Sequence, residues 1–462
     1  MEMAHVIVIP YPAQGHVIPL MELSQRLVNQ GVRVTFVNTE INHELVTSTW
    51  VEKDSFKELM HMVSIPDGLE SWEDRSDLGK LTESILKTMP GKLEELIETI
   101  NNQGTHKVTC VIADGCAAWA IRVAKKIGTK RAVFWPSSVA SLAPALSIKK
   151  LTDDGIIDNK GIPIKDQTIQ LSPNMPPIKP SNLPWSFVGD LATTKSVFKI
   201  SVDVAEAATM TEWITCNSAN ELEPEEFSIY SKILPIGPLL ASNRLADQAG
   251  HFWHEDFSCL KWLDQNPVCS VIYIAFGSFT IFDQRQFEEL ALGLELSNRP
   301  FLWVVRPGMT KETTVSYPDG YTERTHTRGR IVSWAPQQKV LAHPSVGCFL
   351  SHCGWNSTLE GVTNGVPFLC WPYISDQFSN QTYICDVWKN GLGFDRDEAG
   401  YITREEIKSK LKHLLSDKTF KEIAMNLKEK IMSNVEEGGN SHKNLSIFID
   451  WIQDKDTYRC LE

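Results

Sequence analysis

The stretch HVIVIPYPAQGHVIPLMELSQRLVNQGVRVTFVNTE (residues 5–40) opens with a short apolar run that meets a Pro/Gly turn. After the turn, apolar residues recur at helical spacing: Val17, Leu20, Met21, Leu23, Leu27 and Val28. Gly31 ends this segment, and VRVTFVN (32–38) supplies a second apolar run of strand length. A strand, a helix and a second strand in this order predict the first unit of a parallel α/β sheet.

The same arrangement begins again at SVIYIAFGSFT (270–280), which is followed by a helical segment (283–299) and the apolar PFLWVVR (300–306). In both halves, nearly continuous apolar strands alternate with helices, as in parallel sheets covered on both faces. A chain of 462 residues is also longer than one hydrophobic core usually serves. The sequence therefore predicts an α/β protein with two facing Rossmann-like domains, and ligands at the carboxyl ends of the strands.

A polar segment without clear periodicity, residues 239–256, separates the two halves and is predicted to be the linker. This interpretation assigns residues 1–238 to an N-terminal domain and residues 257–440 to a C-terminal domain.

Composition excludes several classes of partner. The formal net charge is −12 and no Lys/Arg run is present, so we expect no nucleic-acid binding. No apolar stretch approaches the roughly 20 residues that span a bilayer, and strand-like sequence stands where a signal peptide would begin. The ten cysteines are scattered without paired metal-ligand spacing, which favours reduced thiols, a cytoplasmic location and no bound metal. We expect a monomer.

The stretch SHCGWNSTLEG (351–361) follows the apolar VGCFL and predicts a turn at Gly354, with a helix beginning near Asn356 or Ser357. Ser357 and Glu360 have the spacing of a capping box, so an ordinary helix start is one interpretation. The free N–H groups and the dipole of such a helix start also suit a phosphate. The stretch alone leaves both interpretations open.

The surrounding 44 residues, WAPQQKVLAHPSVGCFLSHCGWNSTLEGVTNGVPFLCWPYISDQ (334–377), resemble the signature box of the plant secondary-product glycosyltransferases that use UDP-sugars. The similarity extends to PYPAQGHVIPLMEL (10–23), to FGS (276–278) and to the C-terminal helices. It implies a GT-B fold in which a C-terminal helix, residues 441–462, crosses back to the N-terminal domain. It also implies UDP-glucose as the donor co-substrate, with no metal or other cofactor.

The resemblance assigns roles within the box. It implies that Trp334 stacks on uracil, that the Ala335 backbone and Gln337 bind the base edge or the ribose, and that Glu360 binds the ribose hydroxyls. The residues expected around the diphosphate are Ser278, His352, Asn356 and Ser357, and Gly354 is counted with the residues that bind the UDP-sugar. The residues expected to contact the sugar are Trp355, Asp376 and Gln377, and Gln in the last place is associated with glucose donors.

His16 lies just after the first strand, where the family has its catalytic base, and Asp114, after another strand, matches the partner of that base. A helix N-terminus disfavours imidazolium, so His16 would stay neutral and basic. The implied reaction is inverting: His16 takes the proton of an acceptor hydroxyl that attacks the anomeric carbon, and UDP leaves. Ser137, in FWPSS, is expected to contact the sugar or the phosphate.

The acceptor pocket is expected in N-terminal loops such as 70–90, 136–150 and 180–205. A flavonoid, stilbene or other phenolic is the first expectation, and terpenoids and hormones stay open. One alternative is an epimerase or NAD-dependent enzyme on a double Rossmann frame, which the missing G-x-G-x-x-G disfavours. Another is a non-catalytic small-molecule binding protein, which the presence of both His16 and Asp114 disfavours.

Overall fold

The computed structural model describes residues 3–49, 58–103, 106–186, 191–239, 252–311 and 316–454. The chain forms two compact units: unit 1 takes in residues 1–252 and 433–462, and unit 2 takes in residues 253–432. The predicted linker at 239–256 lies mostly outside the described residues, which resume at Phe252.

Unit 1 is built on a seven-stranded sheet in the order β3-β2-β1-β4-β5-β6-β7, with every pair parallel. Its strands are β1 (His5–Ile9), β2 (Arg33–Thr39), β3 (Met60–Ile65), β4 (Cys110–Asp114), β5 (Lys130–Trp135), β6 (Trp213–Cys216) and β7 (Ile233–Pro235). Strands β2 and β3 are added on one side of β1, and β4 to β7 are added on its other side, so that β1 and β4 are neighbours. Segments that follow these two strands therefore meet at one edge, the usual ligand position in such sheets.

The helices that the described residues of unit 1 form before the second sheet are α1 (Gln14–Asn29), α2 (Glu40–Thr49), α3 (Leu78–Gln103), α4 (Trp119–Ile127), α5 (Val139–Leu146), α6 (Ile148–Asp153), α7 (Leu191–Met210) and α8 (Pro224–Ile229). Side chains alternate across the sheet, so that Val6 and Val8 join one buried cluster while Ile7 and Ile9 join another. The sheet is thus covered on both faces, which explains the continuous apolar strands that the sequence shows.

Unit 2 repeats the design with six parallel strands in the order β10-β9-β8-β11-β12-β13. Its strands are β8 (Val271–Ala275), β9 (Phe301–Val304), β10 (Gly329–Val332), β11 (Val346–Ser351), β12 (Phe368–Cys370) and β13 (Gly391–Gly393). Its helices are α9 (Ser258–Leu263), α10 (Gln284–Ser297), α11 (Tyr321–Thr325), α12 (Gln337–Leu341), α13 (Trp355–Thr363), α14 (Gln377–Thr382), α15 (Arg404–Ser416) and α16 (Lys418–Val435), the last of which runs into unit 1. The prediction of two parallel, Rossmann-like sheets is confirmed.

The last described helix, α17 (Asn440–Ile452), packs on the first sheet. Phe448 and Ile452 are buried in the same cluster as Val6 and Val8. Asn444 also donates a hydrogen bond from Nδ2 to the carbonyl of Pro235, at 2.8 Å. The C-terminal helix therefore returns to the N-terminal domain, as expected, although residues 455–462 of its predicted span lie outside the described residues.

Among the described residues, no helix has both the length and the apolar composition that crossing a bilayer requires.

Candidate functional site

His16 and Asp114, 98 positions apart in the chain, form a hydrogen-bonded pair in unit 1. His16 lies in the first turn of α1, and Asp114 is the last residue of β4. His16 Nδ1 and Asp114 Oδ2 are 2.9 Å apart, and the two side chains are 27% and 0% exposed. The adjacency of β1 and β4 brings them together.

The partners of the carboxylate fix its orientation. Asp114 Oδ1 accepts a hydrogen bond from the backbone N–H of Cys116, at 2.7 Å, within the 3₁₀ turn Gly115–Ala117. An ionised carboxylate can only accept, so a neutral His16 imidazole that donates to it carries its proton on Nδ1 and has its lone pair on Nε2. Tyr11, which the sequence did not single out, lies beside the imidazole with ring centroids 5.4 Å apart. The pair can therefore take up a proton at Nε2 and stabilise the resulting imidazolium.

Ser137 lies in the loop between β5 and α5, and the helix start after this loop is hydrogen-bonded to the buried Glu223. Ser141 Oγ donates to Ser137 Oγ at 3.2 Å. Glu223, fully buried, accepts from the backbone N–H groups of Val139 and Ala140, at 3.0 and 2.8 Å. Burial raises the pKa of Glu223 to about 7. Glu223 thus holds the start of the helix that follows Ser137, a role that sequence spacing does not reveal.

In unit 2 the helix after β11 begins earlier than predicted. Its first residue is Trp355 and its N-cap is Gly354, so Ser357 is the third helical residue and the predicted capping box does not form. The tight turn also lies one residue earlier, because Cys353 has the left-handed φ of 64° while Gly354 has a φ of −59°. Glu360, freed from capping, accepts hydrogen bonds from α12.

Gly354 and Gly277 leave room for the imidazole of His352, which a side chain at either position would obstruct. A Cβ on Gly354 or on Gly277 would lie 2.5 or 2.6 Å from Nε2 of His352. The two glycines therefore admit the imidazole beside the start of α13. Burial lowers the pKa of His352 to about 4, so the ring is neutral at pH 7. His352 can offer a phosphate a hydrogen bond but no positive charge.

Arg306, which the sequence analysis missed, follows β9 and carries a positive charge at the carboxyl edge of the second sheet. Its guanidinium donates to the carbonyls of Thr280, Pro307 and Gly277, at 2.7, 3.1 and 3.3 Å. Arg306 is 8% exposed, and no ion pair joins it to a carboxylate within the described ranges. It thus braces the loop that carries Ser278 and brings a positive charge to it.

Trp334 is half-buried and immediately precedes Ala335, which is buried. Trp253 stacks on it with ring centroids 5.7 Å apart and an interplanar angle of 25°. Trp253 belongs to the predicted linker, where nothing in the local sequence indicated an aromatic partner. The stack fixes the plane of the Trp334 indole.

Gln337 connects α12 to α13. Its Oε1 accepts from the Tyr273 hydroxyl at 2.9 Å, and its Nε2 donates to Ser357 Oγ at 2.7 Å and to Glu360 Oε2 at 2.5 Å. Gln338 Nε2 donates to the other carboxylate oxygen of Glu360 at 3.0 Å. Gln337 is therefore placed to hold Glu360 and Ser357 in position, with both polar atoms of its amide already engaged.

The end of the box forms a braced loop. Gln377 Oε1 accepts from the backbone N–H groups of Tyr373 and Ile374, at 2.8 and 3.0 Å. Asp376 is the N-cap residue of α14, and its Oδ2 accepts from Asn380 Nδ2 at 3.0 Å. The amide nitrogen of Gln377 is consequently the atom of that side chain suited to donate to a sugar hydroxyl.

Two other residues of the box lie in the first turn of α13. Trp355 is 4% exposed, and its indole lies against Trp388 with ring centroids 6.4 Å apart. Asn356 is the second residue of α13 and lies at the helix start.

Known proteins resemble the whole chain. Residues 254–432 match the family described as UDP-glucoronosyl and UDP-glucosyl transferase. UDP-glycosyltransferase 83A1 of Arabidopsis thaliana is 44% identical over 459 residues, covering 97% of each chain. Among solved structures, Os79 from O. sativa in complex with UDP has a TM-score of 0.81 at 27% identity, covering 97% of this chain and all of that one. Phytolacca americana UGT2, complexed with UDP-2fluoro-glucose and pterostilbene, has a TM-score of 0.79 at 27% identity, covering 98% of this chain and 99% of that one. With 44% identity to a plant relative over nearly the whole of both chains, and with a parallel Rossmann-like sheet in each unit, the chain belongs to the UDP-glycosyltransferases of plants and has their GT-B fold.

Proposed function

We propose that this UDP-glycosyltransferase moves glucose from UDP-glucose to a hydroxyl group of a small apolar acceptor and inverts the anomeric configuration. The observation that carries the proposal is the His16–Asp114 pair, with an Nδ1–Oδ2 distance of 2.9 Å and a partly exposed imidazole. A binding protein would have no need of a base oriented in this way. The glucose donor is supported by Gln377 at the end of the box and by the UDP-2fluoro-glucose in the Phytolacca americana complex.

The proposed chemical step uses the lone pair on His16 Nε2. The acceptor O–H gives its proton to Nε2 while its oxygen forms a bond to the anomeric carbon. The bond from that carbon to UDP breaks, and UDP leaves with the electron pair. Attack opposite the leaving group converts UDP-α-glucose to a β-O-glucoside, and Asp114 stabilises the imidazolium that forms.

The donor half of the reaction belongs to unit 2. The indole of Trp334 is assigned to uracil, with the Ala335 backbone at the base edge, and Glu360 is assigned to the ribose diol. The diphosphate is assigned to the start of α13, where N–H groups and the helix dipole stabilise negative charge. Side chains assigned to the diphosphate and the sugar are Ser278, His352, Asn356, Ser357, Asp376 and Gln377.

For the acceptor we propose a phenolic such as a flavonoid or a stilbene, with terpenoids and hormones as further candidates. The pterostilbene bound to the Phytolacca americana relative supports a stilbene. Among the segments assigned to the acceptor, 136–150 contains the Ser137 loop, and part of 180–205, residues 187–190, lies outside the described residues.

A screen of UDP-sugars against phenolics, terpenoids and hormones tests the proposal, with product mass and the anomeric configuration of the product as readouts. A β-glucoside formed only in the presence of UDP-glucose supports it. Conversion of UDP-glucose to another UDP-sugar would instead indicate an epimerase. UDP binding without any product would indicate a binding protein.

Trp334→Ala is expected to weaken UDP binding by about 1–3 kcal/mol, the usual contribution of stacking between an aromatic side chain and a base. Calorimetric titration with UDP measures this loss. Trp334→Phe, which keeps a flat ring, should recover most of it. Unchanged UDP affinity in Trp334→Ala would remove the indole from the nucleotide site.

Arg306→Met is expected to weaken UDP much more than uridine, because only UDP carries the charges that the guanidinium attracts. At an effective dielectric constant of about 20, a pair of unit charges contributes on the order of 1–4 kcal/mol, so UDP affinity should fall by about 10- to 30-fold. The ratio of the two dissociation constants is the readout. Arg306→Lys should keep most of the attraction while losing some carbonyl contacts. Equal losses for UDP and uridine would mean that Arg306 supports only the fold.

A further inference from the structure

We propose that His16, Asp114 and Cys116 form a binding site for a thiophilic divalent cation such as Zn²⁺, and that a bound cation inhibits sugar transfer. The inhibitory effect rests on the proposed function of His16 as the base. The binding itself rests only on the geometry of the three side chains.

One ligand atom from each of the three residues lies within 4.8 Å of the other two, and no other set of three such residues does so in the described part of the chain. The three atoms are on a rigid frame. Asp114 is fully buried and terminates β4, and the backbone N–H of Cys116 is bonded to its carboxylate at 2.7 Å. His16 is 27% exposed, so a hydrated ion can reach the group.

The donor set suits zinc. Thiolate sulfur, imidazole nitrogen and carboxylate oxygen bind Zn²⁺ at about 2.0–2.3 Å, and three protein ligands leave one position for water. Ligand atoms of a tetrahedral ion stand about 3.3–3.8 Å apart, by the same bond lengths. The 2.9 Å separation of His16 Nδ1 and Asp114 Oδ2 therefore has to widen slightly as the ion enters.

A cation bound to His16 Nδ1 would disable the base by moving the imidazole proton to Nε2. The cation takes the place of the proton between His16 Nδ1 and Asp114, and the Cys116 thiol releases its proton to solvent as it becomes a thiolate ligand. A neutral imidazole that binds metal through Nδ1 carries its proton on Nε2. Since Nε2 is the atom proposed to accept the proton of the acceptor, the metal-bound form cannot start the transfer.

Cobalt(II) provides a direct test, because a thiolate bound to Co²⁺ gives a charge-transfer absorption band in the near ultraviolet. Titration of the full-length protein with Co²⁺ should produce this band with one equivalent. Cys116→Ser should abolish the band, whereas the matched control Cys269→Ser, which changes an exposed free cysteine, should keep it. A band of equal intensity in Cys116→Ser would overturn the proposal.

Inhibition is tested separately. Each variant's turnover in Zn²⁺ is divided by its own turnover in EDTA, so that differences in basal rate cancel. Wild type and Cys269→Ser should be inhibited at the same Zn²⁺ concentration and recover in EDTA. Cys116→Ser should need at least about 10-fold more Zn²⁺, since even the partners of metal ligands contribute 10- to 100-fold in affinity. Equal sensitivity of all three would refute inhibition at this site. If no acceptor gives a product, the proposed function fails while the cobalt spectrum still decides the binding.

Discussion

His16→Ala is expected to lower kcat for sugar transfer to an alcohol by about 10²- to 10⁴-fold, the usual contribution of a positioned general base. UDP affinity should stay nearly unchanged, because the groups assigned to the nucleotide belong to unit 2 and His16 belongs to unit 1. Steady-state turnover and calorimetric titration with UDP separate the two effects. A parallel fall in turnover and in UDP affinity would point to a folding defect.

The acidity of the acceptor provides a control for this interpretation. A phenol of low pKa arrives partly ionised and needs the base less, so it should retain more of the wild-type rate in His16→Ala than an aliphatic alcohol does. Full activity of His16→Ala towards an alcohol would contradict the mechanism, even though the chain is a UDP-glycosyltransferase.

The sequence predicted the two sheets because their strands are nearly continuous apolar runs. Such runs are typical of parallel strands that are buried on both faces of the sheet. It also placed His16 and Asp114 after strands. Their 2.9 Å contact, however, depends on β1 and β4 being neighbours, which is a long-range property of strand order. Local periodicity carries no information about that order, and the expectation of a pair came from the family resemblance.

The features that the sequence missed depend on burial. Arg306 ends an apolar strand-like run and resembles an ordinary polar residue after a strand, yet it is 8% exposed and bonded to three carbonyls. Trp253 lies in a segment without periodicity, so its stacking on Trp334 had no local signal. Both side chains are positioned by tertiary contacts with residues that lie tens of positions away in the sequence.

The start of α13 shows why a local motif can mislead. Ser357 and Glu360 fit a capping box by spacing alone. In the structure the helix begins at Trp355, one or two residues before the predicted start, since Cys353 takes the left-handed turn and Gly354 makes room for His352. Glu360 then accepts hydrogen bonds from Gln337 and Gln338, so its carboxylate is held beside α12.

Asp114→Asn is expected to reduce kcat about as much as the loss of His16 itself, although the two side chains have nearly the same size. The amide oxygen can still accept from the Cys116 N–H, which leaves the amide nitrogen facing His16 Nδ1. An amide nitrogen only donates, so Nδ1 becomes the acceptor and the ring carries its proton on Nε2. The base would then be held in the wrong tautomer, and the equivalent change in a serine-protease triad costs about 10⁴-fold.

Asp114→Ala is the informative comparison, because it removes the partner without imposing a tautomer. Its neutral imidazole can still expose a lone pair at Nε2, so turnover should fall less than in Asp114→Asn, provided that thermal unfolding shows both variants folded. The double variant of His16→Ala with Asp114→Asn should be no slower than His16→Ala alone, since an amide has no imidazole left to misorient. Losses that multiply in the double variant, or an Asp114→Asn enzyme faster than Asp114→Ala, would show that Asp114 acts on transfer by a route other than the tautomer of His16.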